Sequence, residues 1–298
     1  MPISFSTSCV LASLRRRPIL VLPAKVVSCR SSNRRFFSNK KRSSDSSPSK
    51  SKPQAKNAKP VLDIVYQAMG PFQMNQYGIA CTRTGNAALI DCGATTQDEL
   101  DMFMTWLQVK DYRLTAVWQT HAHLDHVAGL GMLLGTTILA DSDTVENYGE
   151  SIPIYLDEKD RDVYNNFERR CQDFGFYVEG GTHGHPSEDR LTFLTSKDDT
   201  TLSLGDLTFE IIPTPGHCPG HIGFFLQETN EFFGGDFIMK GSIGRTDFPE
   251  SNHSDMQASL ERFVKTMPDE TIIYPGHGPV TTLKEEKQKN PFLRPFVR

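Results

Sequence analysis

Residues 120–129 read THAHLDHVAG. Three histidines and an aspartate (His121, His123, Asp125 and His126) crowd into six positions of an otherwise small and apolar stretch. Solvated polar residues need no such spacing, and buried ones are costly without partners. The segment before it, RLTAVWQ (113–119), reads as a strand, so the cluster falls at a strand's carboxyl end. There His121 and His123, two apart, face the same side. Imidazole nitrogen and carboxylate oxygen together are ligands for a divalent ion such as zinc, iron or manganese.

One such cluster is weak on its own, but three further segments repeat its chemistry. TPGHCPGH (214–221) places His217 just past the strand LTFEIIPT. GGDF (234–237) puts Asp236 at the end of EFFG, behind two glycines that permit close backbone approach. YPGHGP (274–279) sets His277 after TIIYP. Four strand ends thus deliver seven ligand-type side chains. A single histidine of this kind is more often a satisfied core or turn residue. Seven buried together without a metal would leave unpaired polar groups. His253 reads as the surface start of a helix, and the pair His183 and His185 in GGTHGHPS reads as a solvated loop.

Around these points the pattern is mixed. VLDIVYQAM, YGIACTR and NAALIDCG read as strands, and TTQDELDMFMTWLQVK as an amphipathic helix capped by Thr95 or Thr96. DHVAGLGMLLG is helix-like and TTILA a strand. DEKDRDVYNNFERRCQDF reads as helical, and five strand-like runs follow from LTFLT to EFFGGDF. SDMQASLERFVKTM is a helix. Interleaving of this kind predicts an α/β fold of two sheets enclosed by helices.

The 298 residues suit one large domain plus a tail. Residues 1–44 have no acidic side chain, ten Lys/Arg and many serines, and 45–59 is a Ser/Lys/Pro run. This is the composition of an organelle transit peptide and linker, more plastid-like than mitochondrial. The first 59 residues carry fourteen Lys/Arg against one Asp, a net of +13, which leaves −17 on 60–298 of a chain whose total is −4. An acidic body argues against nucleic-acid binding. No apolar run approaches the ~18 residues of a membrane span. The four cysteines of the body (Cys81, Cys92, Cys171, Cys218) show no CxxC spacing, so they form neither a disulfide framework nor a zinc ribbon.

HxHxDH, then GHxxGH, then a Gly-Asp, then a late PGH, from about residue 62 onward, resembles the metallo-β-lactamase superfamily, and GSIGRTDFP (241–249) and the NPFL of 290–293 resemble its short glyoxalase-II-like branch. The resemblance implies an αββα sandwich of two mixed sheets over 60–298, with residues 141–200 as a possible active-site cap. It implies two divalent ions, zinc first and iron or manganese as alternatives. His121, His123 and His217 would hold one; Asp125, His126 and His277 the other; Asp236 would bridge them. The pair would share a hydroxide oriented by Asp125, with no serine or cysteine nucleophile. His221 would stand behind the ligands rather than bind metal. Arg245, and less directly Lys240, would meet the carboxylate of a glutathione-like substrate, unless Arg245 is tied up with Asp247 or Glu250.

The activity so implied is hydrolysis of S-hydroxyacylglutathione-type thioesters, in a plant organellar member. Three readings compete with it: a glutathione persulfide dioxygenase with one iron, a lactonase or other esterase of the same fold, and a retired scaffold that only binds a partner. The oligomeric state stays open. Fused to a fluorescent protein, residues 1–59 should carry it into chloroplasts, as read by microscopy of transfected leaf cells. Diffuse cytosolic fluorescence would refute the targeting reading.

Overall fold

A computed structural model of the protein describes residues 61–135, 137–139, 145–147, 152–195 and 200–297. The transit peptide and linker expected over 1–59 lie outside these residues, as does part of 141–200.

The first sheet is built from β1 (Leu62–Met69), β2 (Met74–Cys81), β3 (Asn86–Ile90) and β4 (Arg113–Trp118), extended by β7 (Ile154–Asp157) and β8 (Leu191–Leu194). β5 (Thr137–Leu139) and β6 (Val145–Asn147) pair with each other apart from it. β1 to β3 are antiparallel, and β3, β4, β7 and β8 are parallel. The second sheet holds β9 (Thr201–Leu204), β10 (Leu207–Pro213), β11 (Ile222–Leu226), β12 (Glu231–Gly235), β15 (Ile272–Pro275) and β16 (Thr281–Thr282), in the order β16-β15-β12-β11-β10-β9. It is antiparallel except where β12 meets β15. A small ribbon, β13 (Ile238–Met239) with β14 (Ser242–Ile243), follows Asp236.

The two sheets face each other across a core of Ile79, Ile90 and Trp118 from the first and Phe209, Phe224 and Phe233 from the second. Trp118 meets Phe209 edge-on, with ring centroids 5.1 Å apart, and tilts over Phe224 at 5.3 Å. A second apolar cluster lies between the first sheet and its helices, and a third between the second sheet and its own. The result is the expected αββα sandwich. β2 is buried along its whole length, and it begins three residues before the run YGIACTR that marked it, at Met74, Asn75 and Gln76.

The helix α1 (Gln97–Lys110) buries Leu100, Phe103 and Leu107 on one stripe, and Thr96 caps it by accepting from the Glu99 N–H. The segment expected as one helix over DHVAGLGMLLG breaks into α2 (Leu124–Val127) and α3 (Leu130–Gly135). The Gly129 N–H donates to the Cys92 carbonyl at 2.8 Å instead of continuing the helical ladder. A Cβ at Gly129 would sit 2.9 Å from the Ala94 oxygen. Likewise DEKDRDVYNNFERRCQDF divides into a 3-10 turn over Glu158–Asp160, α4 (Arg161–Asn165) and α5 (Phe167–Phe174). The Asn166 side chain donates to the Asp162 carbonyl at 2.7 Å and competes with the helix there. α6 (His253–Thr266), capped by Asn252, and α7 (Leu283–Lys289) cover the second sheet.

Two expectations change. β7, four residues long, was hidden in a polar stretch and is a sheet strand. His185 is not a solvated loop residue: its ring stacks on Phe167 at 3.9 Å and tilts against Tyr164, and burial pushes its pKa down to about 4. His183 is exposed, as expected. Among the described residues no helix is long and apolar enough to cross a membrane.

Trp118→Ala should cost about 3–5 kcal/mol of stability, since the site between two sheets cannot collapse around the lost ring. Denaturant unfolding followed by far-ultraviolet circular dichroism measures it. A loss under about 1 kcal/mol would mean that the inter-sheet core is not as close-packed as described.

Candidate metal centre

Every ligand-type side chain expected from the sequence arrives at one end of the sandwich. His121 and His123 follow β4; Asp125 and His126 ride on α2; His217 follows β10; Asp236 follows β12; His277 follows β15. Two groups of expected ligands, His121/His217/Asp236 and Asp125/His126/His277, each place one donor atom per residue within 4.8 Å of the others, and His121 and His123 form a third such group with the Cys218 thiol. Asp236 faces both groups. Its Oδ2 lies 3.4 Å from His217 Nε2 and 3.5 Å from His277 Nε2, and its Oδ1 lies 3.5 Å from His126 Nε2. His277 Nε2 is 3.3 Å from Asp125 Oδ2. His123 joins the first group, with Nδ1 2.8 Å from His217 Nε2.

The backbone makes this convergence possible. Gly235 has φ of +49°, where a side chain would be strained, and a Cβ there would approach Thr120 Oγ1 to 2.4 Å. At Gly276 a Cβ would lie 2.1 Å from Asp236 Oδ1.

Each histidine ring is held from outside by one nitrogen. His121 Nδ1 meets Thr120 Oγ1 at 3.0 Å, His126 Nδ1 meets Asp91 Oδ2 at 2.8 Å, and His217 Nδ1 meets the Arg245 carbonyl at 2.8 Å. His277 Nδ1 meets the Phe72 carbonyl at 3.1 Å, and His123 Nε2 meets Glu250 Oε1 at 2.8 Å. This pattern of outer partners is how metal-binding imidazoles are oriented. The inward atoms His121 Nε2 and His126 Nε2 are buried with no hydrogen-bond partner, as is Asp236 Oδ1. Buried polar atoms left so are rare and need a reason. Two divalent cations fit it.

The electrostatics agree at the first group; at the second, burial opposes the charge of His126 and His277, but the facing carboxylates raise both above their ordinary pKa. Burial and the neighbouring His126 and His123 rings hold His121 far below its ordinary pKa. Burial takes His217 down to about 4 against the pull of Asp236. Both are therefore neutral imidazoles with a free lone pair at pH 7. Burial would raise Asp125 and Asp236, but the adjacent His126 and His277 keep both carboxyls below their usual range.

His221 stands behind the ligands. Its Nε2 accepts the Asp236 backbone N–H at 3.1 Å and its Nδ1 contacts Thr214 Oγ1 at 2.8 Å, so both nitrogens are committed. Cys218 is buried and its thiol sits 3.2 Å from His123 Nε2; burial pushes its pKa well up, so it stays protonated.

Five of the seven donors, His123, Asp125, His217, Asp236 and His277, line a cavity of about 390 Å³. Phe72, Leu124, Phe174, Met239, Ile243 and Phe248 form its apolar wall, with Arg170 and Arg245 as its cations. Phe174 and Arg170 come from α5, inside the 141–200 segment. Of the two cations expected at the substrate, only Arg245 lines this cavity, and its guanidinium is paired with both Asp247 oxygens, at 2.7 and 2.8 Å, in an exposed position. Lys240 is displaced from that role: its ammonium lies 3.4 Å from Glu285 Oε1, outside the cavity.

Sequence reasoning passed over three carboxylates. Asp91 accepts the Thr120 N–H and hydroxyl as well as His126. It too follows a strand, so the rule that found the other residues would have found it in NAALIDCG. Asp160 accepts the N–H of Ala122 at 3.0 Å and of Gly220 at 2.5 Å, tying the two histidine loops together. Burial raises its pKa to about 6 in spite of these two donors. Glu250 touches His123 and Arg170; burial opposes its charge, but hydrogen bonds from His123 and Arg170 hold it at about 2. Nothing in their local sequence marks Asp160 or Glu250.

The sequence pattern described as the Metallo-beta-lactamase superfamily matches residues 69–277. The hydroxyacylglutathione hydrolase GloC of Haemophilus influenzae is 34% identical over 212 residues, covering 70% of this chain and 87% of that protein. A crystal structure of TTHA1623 in a di-iron-bound form is 29% identical with a TM-score of 0.60, over 79% of this chain and 100% of the other. The BLEG-1 B3 metallo-beta-lactamase is 28% identical with a TM-score of 0.60, over 77% and 99%.

Asp160 sets a pH dependence whose sign is fixed. Its folded pKa is raised, so the folded chain binds more protons than the unfolded one between about pH 4 and 6, and stability falls as pH rises through that window. In metal-free protein, the stability of wild type relative to Asp160→Asn should drop by about 2–3 kcal/mol from pH 4 to 6.5, at about 1.4 kcal/mol per pKa unit. Denaturant titrations at several pH values measure the difference. Parallel stability curves would contradict it.

Proposed function

Since the chain belongs to the metallo-β-lactamase superfamily and is a metallo-hydrolase of that family, we propose that it cleaves thioesters of the S-hydroxyacylglutathione type. The observation that carries the reading is the set of buried, unpartnered atoms on His121, His126 and Asp236, the last of which lines an apolar-walled cavity together with His123, Asp125, His217 and His277. The similarity to a hydroxyacylglutathione hydrolase supports the substrate class.

His121, His123 and His217 would hold one divalent ion and Asp125, His126 and His277 a second, with Asp236 between them. Zinc is the metal proposed. Iron and manganese suit the same donors, and a similar structure holds two irons. Bound there, such ions supply a water-derived nucleophile at neutral pH and polarise the thioester carbonyl.

The protein's own groups do the rest. Asp125, kept ionised by His126 and His277, accepts a hydrogen bond from the attacking water at its carboxylate and aims it at the carbonyl carbon. Phe72, Phe174 and Phe248 keep bulk water off the reacting bond. Arg245 receives the substrate's carboxylate. Its present partner Asp247 is a solvent-exposed one, and such pairs are worth about 0–1 kcal/mol, so exchange for a substrate anion costs little. The composition of residues 1–59 supports a plastid as the place where this happens.

Metal analysis of the protein from residue 60 onward, with S-lactoylglutathione assayed with and without oxygen, tests this. The reading expects about two ions per chain, oxygen-independent hydrolysis abolished by chelators, and a loss of at least about a hundredfold in Asp236→Ala, more than an outer partner of a ligand would cost. A single iron with oxygen uptake on glutathione persulfide would replace it with a dioxygenase.

A further inference from the structure

Among the five ligand-type histidines, two are backed by a carboxylate: His126 in the second group, and His123 beside His217 of the first. His126 leans on Asp91, which is built into the turn at the end of β3. His123 leans on Glu250, which is not part of either sheet. It lies in the loop between β14 and α6, and reaches His123 Nε2 at 2.8 Å. The same oxygen, Oε1, is 2.6 Å from Arg170 Nη2 on α5. All three side chains are largely withdrawn from solvent, at 8% for His123, 12% for Glu250 and 18% for Arg170. Phe248 packs edge-on against His123 at 5.1 Å and closes the contact from the cavity side.

His123 needs such a brace more than its neighbours do. Its Nδ1 must point inward, where it lies 2.8 Å from His217 Nε2. Its Nε2 has one other neighbour, the protonated thiol of Cys218 at 3.2 Å, which is a weak partner. Only the carboxylate distinguishes Nε2 as the donor nitrogen and so leaves the Nδ1 lone pair free for a cation. A carboxylate also makes the ring a more basic ligand.

We propose that Glu250 is a positioning residue for the first metal site: held by Arg170, it fixes His123 with Nδ1 turned inward and sets the affinity of that site for its ion. Through Arg170 the first site is coupled to α5, the helix that also supplies Phe174 to the cavity wall. Asp91, behind the second site, is held instead by the backbone and side chain of Thr120. The inference rests on the two-metal reading above.

Zinc competition titrations against a chromogenic chelator test it on wild type, Glu250→Gln, Glu250→Ala and Arg170→Met. One of the two zinc affinities should fall by roughly tenfold in Glu250→Gln, which keeps an acceptor but no charge, and by up to roughly a hundredfold in Glu250→Ala, the range for outer partners of metal ligands. Arg170→Met, which leaves the carboxylate in place but untethered, should lose less than Glu250→Ala. The other zinc should bind as in wild type, and this selective loss, which a general loss of stability would not produce, separates the role from a merely structural one. Unchanged affinities in both Glu250 variants would overturn the proposal, as would an equal loss of both ions. Substrate turnover is not the readout, so a protein that hydrolysed no thioester would refute the function without touching this result.

Discussion

Five imidazoles and two carboxylates cannot be gathered in a protein interior unless each is held apart from the others by something stronger than their mutual repulsion. The fold meets this by committing one nitrogen of every ring to an outer partner: a hydroxyl, two backbone carbonyls and two carboxylates. The remaining lone pairs then have a single direction to face. The tight turns after β3, β4, β10, β12 and β15, and the bareness of Gly235 and Gly276, follow from that demand. So does the break at Gly129, which leaves α2 a single turn carrying Asp125 and His126 beside His121.

The site was legible because its residues share one local context. His121, His217, Asp236 and His277 each follow an apolar run, and the last three sit beside glycine, a pattern that needs no knowledge of the fold. The two-layer sheet arrangement was likewise visible in short apolar runs such as YGIACTR and NAALIDCG, and in the period of α1. What escaped was set by distant contacts. Asp160 lies in a polar run, and its role appears only when Ala122 and Gly220 come within reach. Glu250 looks like a surface acid until His123 and Arg170 close around it. His185 looks like half of an HxH pair in a loop, but Phe167 and Tyr164 take its ring. Lys240 stands close to Asp236 in sequence and faces Glu285 instead, because the ribbon of β13 and β14 turns it away from the cavity.

The cavity combines two unlike surfaces. Its floor is a dense array of charges and lone pairs, and its wall is mainly aromatic and aliphatic. Arg170 and Arg245 both reach it already paired, the first with Glu250 inside and the second with Asp247 at the rim. The inner pair belongs to the metal centre's scaffolding. The outer one is exposed and exchangeable. Under the proposed function, that division would give a substrate anion to Arg245 and leave Arg170 to architecture.

His121, His123, Asp125 and His126 hang from the first sheet, whereas His217, Asp236 and His277 hang from the second. An ion gripped by both sets is therefore a rivet through the two halves of the sandwich, added at the open end where the aromatic core between the sheets stops. By mass action its binding free energy counts toward folding. The chain's resistance to unfolding would then rise with the metal its compartment supplies, so starvation for metal would shorten the protein's life as well as silence it.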